Sequence, residues 1–154
     1  MTEHNITENL EALELRLRKE FFRYRNGIIA EALIKQGNPF PMIYGLMLPQ
    51  IAEISLKFPA NLDFSKFLWE KKESREARLL AIYLIPAETV KKSFIIEMIN
   101  GIITKEEAEI ISFKLLKRLP YAKQLYTELQ KAEENKSEII EYALYMFGKN
   151  LSLH

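Results

Sequence analysis

The sequence predicts an all-α protein, a right-handed stack of antiparallel helical hairpins with about eight or nine helices. Three observations lead there. Apolar residues recur at three- and four-residue steps in nearly every segment, and no segment keeps the alternation of a strand over more than four residues. An apolar-proline pair also recurs at Leu48-Pro49, Ile85-Pro86 and Leu119-Pro120, at intervals of 37 and 34 residues. Each interval has room for two helices, the size of a hairpin that stacks on its neighbours. A curved α-α array is therefore placed ahead of a closed globular bundle, which periodicity alone leaves open.

Asn5 or Thr7 can cap a first helix in which Leu10, Leu13, Leu17, Phe21, Tyr24 and Ile28 form the inward stripe. Gly27 bends or breaks it before it continues through Ile34 to Gly37. Asn38-Pro39-Phe40-Pro41 is a loop, because each proline pushes its predecessor toward an extended backbone. Pro49 opens the next helix, with Ile51, Ile54 and Phe58 inward, and Pro59 stops it. Asp63 caps a short helix through Lys72 whose buried side carries Phe64, Phe67 and Leu68. Ser74 caps another, which Ala77, Leu79, Leu80, Ala81, Ile82, Tyr83 and Leu84 make apolar nearly all round; such a helix must be sandwiched between others. Pro86 ends it and starts a helix whose inward residues are Val90, Phe94, Ile95, Met98 and Ile99, followed by Gly101.

Thr104 with Glu107 forms a capping box for a helix reaching about Arg118, with Ala108, Ile111 and Leu115 as its core stripe. Pro120 starts the helix of Ala122, Leu125, Tyr126 and Leu129. Glu133-Glu134-Asn135-Lys136 is a polar turn, and Ser137 caps a last helix holding Ile139, Ala143, Met146 and Phe147 that Gly148 closes.

A chain of 154 residues fits one domain, residues 1–154, and buries roughly two thirds of its unfolded surface. Its 48% hydrophobic and 28% charged residues exclude a wholly disordered chain. The lack of cysteine removes disulfides, thiolate metal sites and cysteine nucleophiles. The histidines are His4 and His154, at the two ends, so a histidine base or a multi-histidine metal centre is not expected. Asp63 is the only aspartate, which leaves glutamate to supply carboxylate chemistry. Gly-rich phosphate loops, Gly-x-Ser-x-Gly and His-Glu-x-x-His patterns do not occur, and no cofactor is expected. A net charge of +1 gives no global pull toward nucleic acid, so such binding needs a local basic face. With no signal-like start and no apolar run near the roughly 20 residues of a membrane span, a cytoplasmic setting and no membrane partner are expected.

The segment Tyr44-Gly45-Leu46-Met47-Leu48-Pro49-Gln50-Ile51-Ala52-Glu53-Ile54, followed by Leu68-Trp69-Glu70 and Arg75-Glu76-Ala77-Arg78-Leu79-Leu80-Ala81, resembles the N-terminal half of AlkD-type DNA alkylation repair glycosylases. That resemblance implies HEAT-like repeats, duplex-DNA binding on a concave surface and N-glycosylase chemistry on alkylated purines. In the family, tryptophans and an aspartate one hairpin further on hold the alkylated base. Here that region reads Ile103-Thr104-Lys105-Glu106-Glu107-Ala108-Glu109-Ile110, without either residue type, as in a member whose catalytic residues have been lost. Glu107 is the one weak catalytic candidate, and its capping-box position is the simpler reading. Trp69 reads as a core anchor before a base-stacking contact.

Three groups of cations are candidate nucleic-acid contacts. Arg16, Lys19 and Arg23 share one face of the first helix beside Phe21, Phe22 and Tyr24; Lys72, Arg75 and Arg78 stand beside Glu76 in a charge network expected on the exposed side of its helix, with Lys71 as a further cation that can reach a partner; Lys114, Lys117 and Arg118 make a further cluster near Lys123. A solvated face paired with Glu11, Glu14 and Glu20 is the plainer account of the first group. The functional expectation is a DNA alkylation repair-like protein that binds duplex DNA non-specifically. Its alternative is a non-catalytic helical-repeat scaffold that binds a protein partner or itself through Tyr121, Tyr142 and Tyr145.

Overall fold

The computed structural model describes residues 3–132 and 135–152, the side chains of 3–8 excepted. The expected polar turn at Glu133-Glu134 and the terminal His154 lie outside the described residues, as does the side chain of His4. Nine α-helices and one 3-10 turn form among the described residues, joined by loops and by a single isolated bridge between Met42 and Ser74. They are α1 (Glu3–Tyr24), α2 (Gly27–Lys35), α3 (Leu48–Ser55), α4 (Leu62–Trp69), α5 (Arg75–Tyr83), α6 (Lys92–Asn100), α7 (Lys105–Lys114), α8 (Ala122–Lys131) and α9 (Glu138–Asn150), with the 3-10 turn at Leu116–Arg118. None is long and apolar enough to cross a membrane. Backbone contacts group the chain into two compact units, Met1–Leu84 and Ile85–His154.

In the first unit α5 is the central element, packed on α4 and α3, while α1 lies on α4. Every residue from Arg75 to Ile82 is buried, as a helix apolar on nearly all sides requires. Burying leucine or isoleucine there contributes about 1.5–3 kcal/mol each, before the entropy of ordering the chain is subtracted. Asn26 restarts the chain after α1: its carboxamide oxygen accepts from the N–H groups of Ile28 and Ile29. The inward stripe of α1 therefore ends at Tyr24, and Ile28, expected in the core, is 82% exposed. Gly37 follows α2 with φ +93°, the left-handed conformation of a C-terminal glycine.

Other boundaries shift by a few residues. α1 begins at Glu3, so Asn5 and Thr7 lie inside it and do not cap it. Asn61 caps α4 through Phe64 N–H, while Asp63 sits in the first turn, and the helix stops at Trp69 before Lys72. Ser74 caps α5 as expected. Pro86 does not start a helix: its carbonyl accepts from Thr89 and Val90 in a turn, and α6 begins at Lys92.

In the second unit α9 packs on α7, α8 and α6. Ala108, Ile111, Leu115, Leu125, Ala143 and Phe147 are buried between them. Ser112 Oγ donates to Ala108 and Ala143, and Tyr121 donates its hydroxyl to Val90 at 2.7 Å. α7 ends at Lys114, and its expected last turn is the 3-10 turn. Gly148 lies within α9 and does not close it; a Cβ there would come within 2.5 Å of the Tyr126 hydroxyl, so glycine allows α8 to approach.

Candidate nucleic-acid interface

The charge network around Glu76 is internal. Arg75 is 3% exposed, and Glu76 and Arg78 are fully buried, which corrects their expected exposed position and removes Arg75 and Arg78 from any phosphate-binding face. The physical reason lies in their partners. Glu76 accepts from the backbone N–H groups of Tyr44, Gly45 and Leu46 at 2.9, 3.1 and 3.3 Å. Arg75 Nη1 donates to Glu76 at 2.6 Å and to the Leu46 carbonyl at 3.0 Å. Arg78 donates to the Trp69 carbonyl at 2.7 Å with its guanidinium 3.6 Å from the indole centroid, and Trp69 itself is 5% exposed. A tight loop is clamped onto α5, and Trp69 sits in the core.

The remaining cations divide by what they touch. Arg16 lies 4.7 Å over the Phe58 ring and donates to the Lys57 carbonyl. Arg23 is 3.7 Å from Glu20, and Lys71 is 3.4 Å from Glu14 and 4.5 Å over Phe67. Lys19 and Lys72 are exposed. Of the first basic face Arg23 is thus paired with an acid of α1, whereas Arg16 rests on Phe58, and Glu14 of α1 holds Lys71 of the second group. Lys117 and Arg118 are exposed and Lys114 is half-buried.

Two aromatic residues outside the expected site set stand out, one in each unit. Phe22, 57% exposed, has the Arg25 guanidinium 3.6 Å from its ring centroid, fixed there by a 2.7 Å bond from Arg25 Nη1 to the Phe22 carbonyl. Phe113, 48% exposed, has Lys117 Nζ at 3.8 Å and Lys114 Nζ at 5.1 Å from its ring. The signal was in the spacing: Phe113 and Lys117 stand four residues apart, and Phe22 and Arg25 three, close enough along the chain for each cation to reach its ring. Each unit thus carries one exposed phenyl ring flanked by cations.

Glu107 is 1% exposed; its carboxylate accepts from Ile103 N–H at 2.8 Å while its own N–H reaches Thr104 Oγ1 at 3.1 Å, the geometry of a cap. No cluster of three or more metal-ligating side chains occurs among the described residues. Of the tyrosines expected to be exposed, Tyr145 is 53% exposed, whereas Tyr142 donates to Glu109. The Tyr142 hydroxyl is raised above the usual phenol value by that bond first and by burial second, and burial raises Tyr121. Comparison with protein-family models, curated proteins and solved structures gives no match to the chain.

Proposed function

We propose that the chain is a DNA-binding protein of the DNA alkylation repair type, built on HEAT-like repeats and acting on duplex DNA without sequence preference. The observation that carries this reading is the pair of exposed, cation-flanked rings, Phe22 with Arg25 and Phe113 with Lys114 and Lys117. Cations there neutralise phosphates, and rings offer apolar contact to sugars and bases, contacts that carry no sequence code. Arg16, Lys19, Arg23, Lys72 and Arg118 are the further cations this reading enlists. The reading concerns binding. Glycosylase chemistry would fall to Glu107, whose carboxylate already holds the start of α7.

The test is a titration of a fluorescent duplex at low salt. Wild type binds, and the double variant Phe113→Ala/Lys117→Glu binds at least about ten-fold more weakly while keeping its helical content. Equal affinity of variant and wild type would remove this surface from the reading.

A second reading, a scaffold for a protein partner, is favoured by α2. No residue of that helix is buried, and Ile28 and Ile34 are 82% and 59% exposed. A mass in solution that rises with concentration, and falls back in Ile28→Glu, would support it.

A further inference from the structure

Where α1 ends and α2 begins, Phe22, Arg23, Arg25, Gly27, Ala30, Ile43 and Tyr44 line an open groove of about 610 Å³. We infer that this groove takes an unpaired base of a single strand together with its adjoining phosphate; the inference rests on the nucleic-acid reading above and names the form of nucleic acid this site prefers. The volume falls within the roughly 300–1,000 Å³ of small-molecule sites, enough for a nucleotide unit and too little for a duplex.

The chemistry matches in three ways. The Phe22-Arg25 stack is already built, with the guanidinium held over the ring by its bond to the Phe22 carbonyl, so a base laid on it adds one layer to a fixed platform. The charged side chains lining the groove are the cations Arg23 and Arg25, and no carboxylate is among them. Glu20, the acid nearest Arg23, is engaged more closely by Lys57, at 2.9 Å against 3.7 Å. The rest of the lining, Ala30, Ile43 and Tyr44, is mostly apolar, and a backbone bond from Asn26 N–H to the Tyr44 carbonyl at 2.8 Å ties Tyr44 to the start of α2. Gly27 is part of the lining, and a Cβ there would meet nothing within 4 Å.

The experiment compares a fluorescent oligothymidylate of about 15 nucleotides with a duplex of the same length, for wild type, Phe22→Ala and Gly27→Leu. Phe22 is exposed and Gly27 faces open space, so both variants keep the wild-type thermal midpoint. Wild type binds the single strand, Phe22→Ala weakens it about 5- to 150-fold, and Gly27→Leu weakens it by filling the groove while its duplex affinity stays within about two-fold of wild type. Unchanged single-strand binding in both variants overturns the inference and leaves the proposed function standing, as does wild-type binding to the duplex alone. No binding to either nucleic acid sinks both. Displacement of the strand by thymidine monophosphate at comparable concentration would assign the groove to a free nucleotide and overturn the strand.

Discussion

Tyr44, Gly45 and Leu46 turn three backbone N–H groups toward the interior, and the one carboxylate of Glu76 accepts from all three while pairing with Arg75. Removing it leaves two buried N–H groups and a part-buried one without their acceptor and takes the carboxylate from a buried guanidinium that keeps the Leu46 carbonyl. Glu76→Ala is therefore expected to cost about 3–5 kcal/mol, read as a lowered urea midpoint. Trp69→Ala removes the ring on which Arg78 rests and costs a similar 3–5 kcal/mol, with nucleic-acid binding by the remaining folded protein unchanged. Lost binding at normal stability would contradict the core role. Residues of this kind are the hardest to read from sequence. Arg75, Glu76 and Arg78 look like an exposed charged turn because their acceptors and donors lie at Leu46, Tyr44 and Trp69, and helical periodicity has no term for partners 9 to 32 residues away. Leu79 to Ile82, by contrast, are apolar on every side of the helix and are buried as that pattern demands.

Helix starts depend on contacts within three residues, and for that reason Ser74, Thr104 and Ser137 were legible as caps. The sequence points to Asp63 as the cap of α4, whereas the extended backbone at Asn61 makes that residue the cap and puts Asp63 in the first turn. The break between α1 and α2 was legible as a discontinuity near Gly27, but its rephasing of the apolar stripe was not, since it follows from the Asn26 cap. Gly45 holds α2 in place: at φ +86° a Cβ would come within 2.1 Å of the Asn26 carbonyl and 2.8 Å of Ala30 N. Gly45→Ala is expected to release α2, seen as faster amide exchange across Gly27–Lys35 than across α5. In the second unit, Tyr142 donates to Glu109 as a neutral phenol, linking α9 to α7. Its folded pKa is raised, so this contribution is complete below the unfolded phenol value near 10 and is lost as pH rises through the higher folded value. Tyr142→Phe is accordingly less stable than wild type at neutral pH by under about 1 kcal/mol, and the gap closes in strong alkali. A gap that widened with pH would reverse the assignment.

For the molecule as a whole, 22 lysines and arginines against 21 acids give no long-range field, so nucleic-acid binding has to come from local surface. All-helical architecture was legible because 3.6-residue periodicity runs through the chain without competing alternation. The candidate interface was legible only in part: the basic clusters stood out, yet burial removed Arg75 and Arg78 from them, acids of α1 neutralise others, and the rings of Phe22 and Phe113 gained their importance from exposure that sequence does not state. The measurement that bears most directly on the account is the affinity of wild type for a duplex across a range of salt. Binding through several phosphates requires log affinity to fall linearly with log salt, by about 0.9 per phosphate neutralised, and Lys114→Ala/Lys117→Ala to flatten that slope by roughly one to two phosphates' worth. A slope near zero, or the same slope in variant and wild type, would contradict it.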